Sequence, residues 1–481
     1  MRRMQGMDTT FFQAETPTMH LHVVGVLVLD PSTGSGPWGY DTVLALMEER
    51  MHLLPPFRWR AVTVPGDVDQ PRWIEDPDFD LRRQVHRATL DPPADLDSLA
   101  RFTGEVAGVP LDRSRPLWEM HVVEGMAGGS VALVTKLHHA YMDGGAGSEV
   151  MASMFDLTAE GEPVEPPEQP WEADEEPNPI RLLAESAGGA VSRAARLPGM
   201  LVGTAKAVVD SARAVRGRRV DSGVPIGPST PLNGALTPER VVAFARCSLD
   251  EVKRTKAAFG VTVNDVMLAA STTALREELL ARDALPDRPL VAMVPVSERA
   301  DSESGAETEF SNRTSALSVA LPVQIEDPVE RLMALHELAL DAKDLHRAMG
   351  DGVLEEWTSI VPPFVVSGAV RAITLSGVAR LLPFMGNVIV SNVPGPPIPL
   401  FLAGARVTHL YPMGPLFEGC GINVTLMSHG DVIDVGVIAC PTMVDDPARL
   451  TAGFTAGLAE LAGAAERVSR REAPPTDGAP R

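Results

Sequence analysis

A proline-rich acidic segment, from Ala159 to Pro179, divides the 481-residue chain into two parts. Its composition is typical of a linker. On each side, short apolar runs that alternate like strands are separated by stretches with helical periodicity, which favours a mixed α/β class. The sequence therefore predicts domains at residues 1–158 and 224–470, a linker with a helical connector at 159–223, and a disordered tail at 471–481.

Local patterns place the main elements. Strong strands are predicted from His20 to Leu29 and from Ser130 to His139, whereas Arg72 to Leu90 is polar and turn-rich. Later strands are predicted at VVAFARCSL, LVAMVPV, SALSVALP, NVIVSNV, GINVTLM and VIDVGVI. Capping residues indicate helix starts at Ser248 with Glu251, Thr262 with Asp265, Asp327-Pro328 and Asp446-Pro447.

Charge and composition exclude several classes of protein. The formal net charge of −22 argues against a nucleic-acid partner, because such a protein needs a basic face. Cys247, Cys420 and Cys440 form no CxxC pair, which indicates a reducing cytoplasm. The N-terminus lacks the apolar core of a signal peptide, and prolines interrupt the longest uncharged stretch. We therefore expect a protein that is soluble or lies on a membrane without crossing it.

The strongest chemical signal is HHAYMDG, at residues 138–144, where a predicted strand runs into a glycine-rich loop. An imidazole with a pKa near neutrality can take a proton from a hydroxyl and pass it on. Asp143 can orient the loop, and Gly144 permits a tight turn. Two ordinary histidines at a strand end are an alternative interpretation. A metal site is another, although no second His or Cys cluster completes it.

The motif resembles HHxxxDG of the chloramphenicol-acetyltransferase-like acyltransferases, which peptide-synthetase condensation domains share. Further stretches are similar to the bacterial wax ester synthase/diacylglycerol acyltransferase family from about Met7 to Ala462. They are PPFRWR, WIEDPDFDL, PLDRSRPLWEMHVVEG, VTVNDVMLA, LVAMVPVSER and SNVPGPPIPL. The resemblance implies an α/β fold of two similar sheet-and-helix domains, with a substrate tunnel between them.

The resemblance also implies residue roles. His139 matches the general base, His138 matches a mainly structural histidine, and Asp143 matches an orienting residue for which Arg58 or Arg60 is a candidate partner. Asn264 and Asp265 match the ND motif at a helix N-terminus, where an amide or backbone N–H groups can stabilise an oxyanion. Helix capping is the alternative. Gly144, Asp265 and Tyr141 are predicted to contact substrate, and Tyr141 departs from the smaller residues usual in the family.

The implied function is transfer of an acyl group from acyl-CoA, as co-substrate, to diacylglycerol or a fatty alcohol, without a metal or other cofactor. A condensation-type enzyme that uses a carrier-protein thioester or an amine acceptor remains an alternative, and so does an inactive lipid-binding paralogue. Cytoplasmic location, with peripheral contact to the inner membrane face or lipid droplets, is expected.

Two segments bear on that lipid contact. The composition of the basic segment Arg181–Arg219 is consistent with a solvated connector or with a membrane-binding patch. The apolar segment Val361–Met385 is predicted to be either a lipid-facing surface or part of the buried core. A GxGxxG motif occurs at Gly34, Gly36 and Gly39, but it contains a proline and no acidic residue follows at the spacing that a ribose needs. The motif is therefore not interpreted as a dinucleotide site.

Overall fold

A computed structural model describes residues 1–4, 6–34, 36–141, 150, 153–161, 163–167, 169, 171–186, 227–297, 314–349, 363–376 and 386–472. The strands in these ranges are β1 (Arg2–Arg3), β2 (His22–Asp30), β3 (Trp59–Val62), β4 (Arg72–Glu75), β5 (Val85–Thr89), β6 (Trp118–Glu124), β7 (Val131–His138), β8 (Val241–Ser248), β9 (Leu290–Ser297), β10 (Thr314–Leu321), β11 (Val388–Pro394), β12 (Phe401–Leu402), β13 (Ala405–Met413), β14 (Ile422–His429) and β15 (Val432–Ala439). The principal helices are α1 (Gly6–Ala14), α2 (Tyr40–Arg50), α3 (Leu96–Ala107), α4 (Leu249–Phe259), α5 (Val263–Ala281), α6 (Pro328–Met349), α7 (Pro363–Ser376) and α8 (Pro447–Glu472).

The first sheet has the strand order β12-β13-β2-β7-β6-β5. Its central strands β2 and β7 are antiparallel. β2 was predicted from a β-rich apolar run and β7 from its alternating apolar pattern, and both predictions are confirmed. Side chains alternate between the two faces of a strand. Leu133 therefore enters a core with α2, whereas Val134 enters a core on the other face with α3 and strands β8 and β15 of the second half.

The second sheet has the order β10-β9-β11-β14-β15-β8, in which β11 runs parallel to β9 and β14 and the other neighbours are antiparallel. Helices α5 and α8 pack against each other, and their apolar residues join those of the sheet in one core. The six strands predicted in this part of the chain are all present. Together with the first sheet, they confirm the α/β class.

One strand of the second half belongs to the first sheet. β13 pairs antiparallel with β2, from Arg406 opposite Asp30 to Met413 opposite Val24. Asp434 of β15 ties this strand to the second sheet, because its buried carboxylate accepts hydrogen bonds from the Leu410 backbone N–H at 2.7 Å and from Arg246 Nε at 2.7 Å. The chain therefore crosses the predicted boundary between the two domains, and the division at residue 224 stays a prediction.

Part of the predicted linker packs on the protein. It lies beside a third sheet of order β1-β4-β3. Trp171 Nε1 donates to the Glu75 carboxylate at 2.7 Å, and Asp174 accepts from the Glu75 backbone N–H at 2.9 Å. Glu176 pairs with Arg60. Acidic side chains of the segment thus match polar groups on the first half, which a composition typical of linkers does not reveal.

Helix starts agree with the capping residues. Ser248 accepts from the Glu251 backbone N–H at 3.3 Å, and Asp327 accepts from Val329 and Glu330 N–H groups at 2.9 Å. The turn-rich interpretation of Arg72 to Leu90 was incomplete, because β4 and β5 lie within it. Both strands are short and gain their stability from strand partners rather than from an apolar pattern of their own.

Among the described helices, none taken singly has the length and apolar character needed to cross a bilayer. Helices α4 and α5 meet that criterion only as a pair, and they are bent by 101° with respect to each other. Most of α5 is buried in the core of the second half.

Candidate active site

The histidine pair lies at the end of β7, between β2 and β6. The backbone N–H of His138 donates to the Leu117 carbonyl at 3.0 Å, and that of His139 donates to the Leu21 carbonyl at 2.9 Å. Both backbone positions are therefore held by the sheet and its flanking segments. The side chains project where the strand gives way to a turn, because the Tyr141 N–H donates back to the His138 carbonyl at 2.9 Å.

His138 is buried, and both of its ring nitrogens face protein groups. Nδ1 accepts from the Ala140 backbone N–H at 3.0 Å, and Nε2 lies 3.5 Å from Oε2 of Glu15. Burial lowers the pKa of His138, and Glu15 only partly opposes this. The ring is therefore neutral near pH 7, and because Nδ1 is an acceptor its proton is on Nε2. This arrangement supports a structural role for His138.

His139 is only partly buried, in contrast to its neighbour. Its ring packs on Phe11 of α1, with centroids 4.2 Å apart and planes inclined by 35°. The Phe12 ring meets His138 edge-on at 6.1 Å. Helix α1 thus supports both imidazoles from one side. Sequence reasoning missed Phe11, Phe12 and Glu15, because a pair of aromatics and one acid near the N-terminus carry no catalytic spacing.

A buried lysine on β7, two residues before His138, forms an ion pair with the half-buried Glu119 of β6. Lys136 is fully buried, and its Nζ donates to Glu119 at 2.8 Å, to the Val106 carbonyl at 2.8 Å and to the Val109 carbonyl at 2.7 Å. Burial alone would raise the Glu119 pKa, but the hydrogen bond from His121 and the Lys136 charge outweigh it and lower the pKa to about 2. The charged pair fixes β6 and β7 beneath the histidines.

Tyr141, predicted to contact substrate, lies in the core of the first half. Its hydroxyl donates to the Trp59 carbonyl and accepts from the Leu117 backbone N–H at 3.3 Å, and its ring meets Trp73 edge-on at 5.1 Å. Burial raises the pKa of Tyr141 well above its usual value. The hydroxyl is thus committed to the backbone, and this placement supports a packing role instead.

Asp143 and Gly144 lie outside the described residues. The two arginines considered as partners of Asp143 both contact other carboxylates. Arg58 Nε is 3.2 Å from Glu75, and Arg60 Nε is 3.3 Å from Asp76. The Trp171 ring also lies 5.3 Å from the Arg58 guanidinium. The pairing of Asp143 with either arginine stays a prediction.

The ND motif begins α5 as the capping interpretation predicts. Thr262 N–H donates to Asp265 Oδ2 at 2.8 Å, and Asp265 N–H donates to Thr262 Oγ1 at 3.2 Å, which completes a capping box. The same Oδ2 contacts His336 Nδ1 at 2.8 Å, and Asp265 is buried. Asn264, next to it, is half-buried. The structure therefore places Asp265 in a structural network and leaves Asn264 as the motif residue with an accessible side chain.

Within the described ranges, no group of three or more His, Cys, Asp or Glu side chains has the geometry of a metal site. Around His138 and His139 the structure brings together, among others, Phe11, Phe12 and Glu15. They can hold one imidazole rigidly and present the second to a substrate, an arrangement suited to proton transfer.

Two sheet-and-helix halves with paired histidines at the end of a central strand define an acyltransferase of the chloramphenicol-acetyltransferase-like class. The chain belongs to the wax ester synthase/diacylglycerol acyltransferase family. Its residues 4–267 match the family's catalytic domain, and residues 310–462 match the WS/DGAT C-terminal domain. The family predicted from the sequence motifs is thus confirmed.

Known proteins agree with this assignment. The chain is 34% identical to "Putative diacyglycerol O-acyltransferase Rv1760" of Mycobacterium tuberculosis, over 96% of this chain and 90% of that protein. It is 33% identical to "Putative diacyglycerol O-acyltransferase Rv0221" of the same organism, over 97% of both. The wax ester synthase/diacylglycerol acyltransferase structure from Marinobacter aquaeolei VT8 matches with a TM-score of 0.68 and 25% identity, over 97% of this chain and 100% of that one. The first condensation domain of the CDA synthetase shares the fold, with a TM-score of 0.55 at 16% identity over 97% and 96% of the chains.

Proposed function

We propose that this acyltransferase moves a long-chain acyl group from acyl-CoA to the hydroxyl of a diacylglycerol or a fatty alcohol, with His139 as general base. The assignment of His139 as the base rests on one observation. His138 directs both ring nitrogens at protein groups, whereas His139 follows it at the strand end and is partly exposed. The names of the relatives, which describe diacylglycerol acyltransferases, support the acceptor.

The proposed chemistry is a direct transfer. A ring nitrogen of His139 takes the proton of the acceptor hydroxyl while that oxygen attacks the thioester carbonyl. The resulting tetrahedral intermediate expels the CoA thiolate, which receives the proton from the imidazolium, so that the products are an ester and free CoA. Holding the two substrates together supplies much of the acceleration, and the reaction needs no cofactor besides the co-substrate.

Two further residues have proposed roles. Asn264, through its amide or the N–H groups at the start of α5, is proposed to stabilise the oxyanion, and Asp143 is proposed to orient the motif loop. Replacing the Asn264 amide by an isosteric group that cannot donate, as in Asn264→Leu, tests the first role. The Asp265→Asn variant is the control for a loss of helix capping, because Asp265 caps the helix that carries Asn264.

The function is tested by the release of free CoA from palmitoyl-CoA, with dioleoylglycerol, hexadecanol or no acceptor. Release that depends on one of these acceptors, together with the matching ester in the lipid extract, is the expected result. The better acceptor identifies the product class. Folded protein without acceptor-dependent release would contradict the proposal. Activity with an acylated carrier protein would then point to a condensation-type enzyme, and binding without turnover would point to a lipid-binding paralogue.

We also propose that α7 contacts a lipid surface from which the acceptor enters. The outward face of this helix is largely apolar, since Phe364 is 50% exposed and Val365 is 44% exposed, and Arg371 adds a positive charge. Helix α7 packs against α1, which carries Phe11 onto His139. Helix α7, the described part of the apolar segment Val361–Met385, thus connects an exposed apolar surface to the histidine pair through α1. The basic segment falls mostly outside the described residues.

Changing Val365→Glu is expected to lower the partition of the protein onto phosphatidylcholine–phosphatidylglycerol vesicles by about fivefold or more, because a half-buried valine contributes about 1 kcal/mol at an apolar boundary. Co-sedimentation measures the effect. Leu340→Glu is the matched control, since Leu340 is also 44% exposed but lies on α6. Equal partition of wild type and the Val365 variant would contradict the proposed surface.

A further inference from the structure

We infer that Glu15 is a positioning residue for the histidine pair: its carboxylate faces Nε2–H of His138 at 3.5 Å and thereby favours the ring tautomer that closes the turn carrying His139. The kinetic part of this inference rests on the proposed function. The tautomer itself does not, and it can be tested on the folded protein without any substrate.

The contact with Ala140 fixes the tautomer of His138. The Ala140 backbone N–H can donate to Nδ1 of His138 only when Nδ1 carries no proton, which places the single proton of the neutral ring on Nε2. In the opposite tautomer, Nδ1–H would face the Ala140 N–H, donor against donor. The turn after β7 therefore depends on which nitrogen of a buried ring is protonated.

The Glu15 carboxylate lies on the Nε2 side of the His138 ring. The His138 side chain is inaccessible to solvent, and within the described residues Nε2 makes no hydrogen bond; a Glu15 carboxylate oxygen faces it at 3.5 Å. At this distance the contact is electrostatic, and long contacts in unliganded sites often tighten to hydrogen bonds in the substrate complex. A buried N–H without an acceptor is destabilising, so the nearby carboxylate favours the Nε2–H tautomer.

The protonation state of Glu15 follows from its burial and its neighbours. Its side chain is 8% exposed, and the oxygen that faces His138 also accepts from Arg113 Nε at 2.8 Å. Arg113 donates in addition to the Phe12 carbonyl at 2.6 Å and lies 4.2 Å from the centroid of the Phe12 ring. Burial raises the pKa of Glu15, but His138 and Arg113 outweigh it and lower the pKa below its usual value. The group is therefore a carboxylate near pH 7 and acts only as an acceptor.

Helix α1 and the residue after it contact both histidines. Glu15 follows α1 directly, and the same helix places Phe11 on the ring of His139. A change that moves Glu15 therefore disturbs the support of both imidazoles. Glu15 reaches the reaction only through His138, which distinguishes it from a residue that contacts substrate.

Steady-state kinetics of Glu15→Leu, Glu15→Gln, His138→Leu and the Glu15→Leu/His138→Leu double variant test the role. Glu15→Leu removes the acceptor and is expected to lower kcat about 10- to 100-fold, with KM for acyl-CoA nearly unchanged. Glu15→Gln retains a carbonyl acceptor and is expected to recover most of kcat. Because Glu15 acts through His138, the double variant is expected to be no slower than His138→Leu. Losses that multiply in the double variant, or a glutamine variant as slow as leucine, would overturn the inference.

The tautomer is read independently by ¹⁵N NMR of histidine-labelled protein, with His138 assigned by its loss in the His138→Leu variant. Wild type and Glu15→Gln are expected to show a protonated Nε2 and an unprotonated Nδ1, and Glu15→Leu is expected to lose that state. A protonated Nδ1 in wild type would overturn the inference. If no acyl transfer is found but the tautomer pattern is as expected, the proposed function fails and the positioning contact stands.

Discussion

His139→Ala is expected to lower kcat for acceptor-dependent CoA release by about 10²- to 10⁴-fold, which is the usual contribution of a positioned general base. The ring is partly exposed and packs on Phe11, outside the apolar clusters of the two halves, so its loss is expected to leave those cores intact. KM for acyl-CoA is expected to change little, because the lost interaction acts on the acceptor proton.

His52→Ala is the matched control for this variant. His52 is also half-buried, but it lies in the short turn that follows α2 and takes no part in the proposed chemistry. We expect the kcat of His52→Ala to lie within about twofold of wild type, since substitutions away from the core and the active site usually have small effects on the protein. A His139→Ala protein that keeps more than a tenth of the wild-type rate would show that another group accepts the proton.

Lys136→Met is expected to reduce the free energy of unfolding by about 2–3 kcal/mol, less than the roughly 3–5 kcal/mol usual for a fully buried pair, because Glu119 is 24% exposed and keeps its contact with His121. The change leaves the Glu119 carboxylate without its ammonium partner. It also leaves the Val106 and Val109 carbonyls, at and just beyond the end of α3, without the donor that Lys136 supplies. Urea denaturation measures the loss. The Glu119→Gln/Lys136→Met double variant is expected to recover part of it, because no uncompensated charge remains.

The same pair predicts a pH dependence of stability. The pKa of Glu119 is about 2 in the folded protein, below its ordinary value of 4.5. The unfolded chain therefore binds more protons between these values, and this contribution is present above pH 4.5 and is lost as the pH falls toward 2. Lys136→Met raises the folded pKa and should flatten this part of the profile. If Lys136→Met has the stability of wild type and the same dependence of stability on pH, the ion pair does not contribute to the free energy of unfolding.

Much of the fold could be predicted because its signals are local. Four signals depend only on neighbouring residues, and each is present in the structure: the apolar run of β2, the alternation in β7, the capping box of Thr262 and Asp265, and the proline at the start of α8. The motif His138-His139 was located correctly at a strand end for the same reason. Short strands such as β4 and β5 were missed, because their stability comes from partners elsewhere in the chain.

Parts of the site could not be predicted, because they depend on which distant segments meet. Glu15 is 123 positions from His138, and nothing in its own neighbourhood indicates a buried carboxylate. Tyr141 follows the histidines closely enough to suggest substrate contact, yet the position of Trp59 turns its hydroxyl into the core. Asp265 likewise carries a family motif, and the packing of His336 against it reveals a structural network.

The sequence by itself determined the family, the α/β class, most strands and helix starts, and the position of the histidine pair at the end of β7. These follow from periodicity, capping and motif spacing, which act over a few residues. Only the tertiary structure decided that β13 of the second half completes the first sheet, that Glu15 faces His138 and that Lys136 is buried against Glu119. Such pairings depend on burial and charge between segments far apart in the chain, and those conditions exist only once both halves have packed.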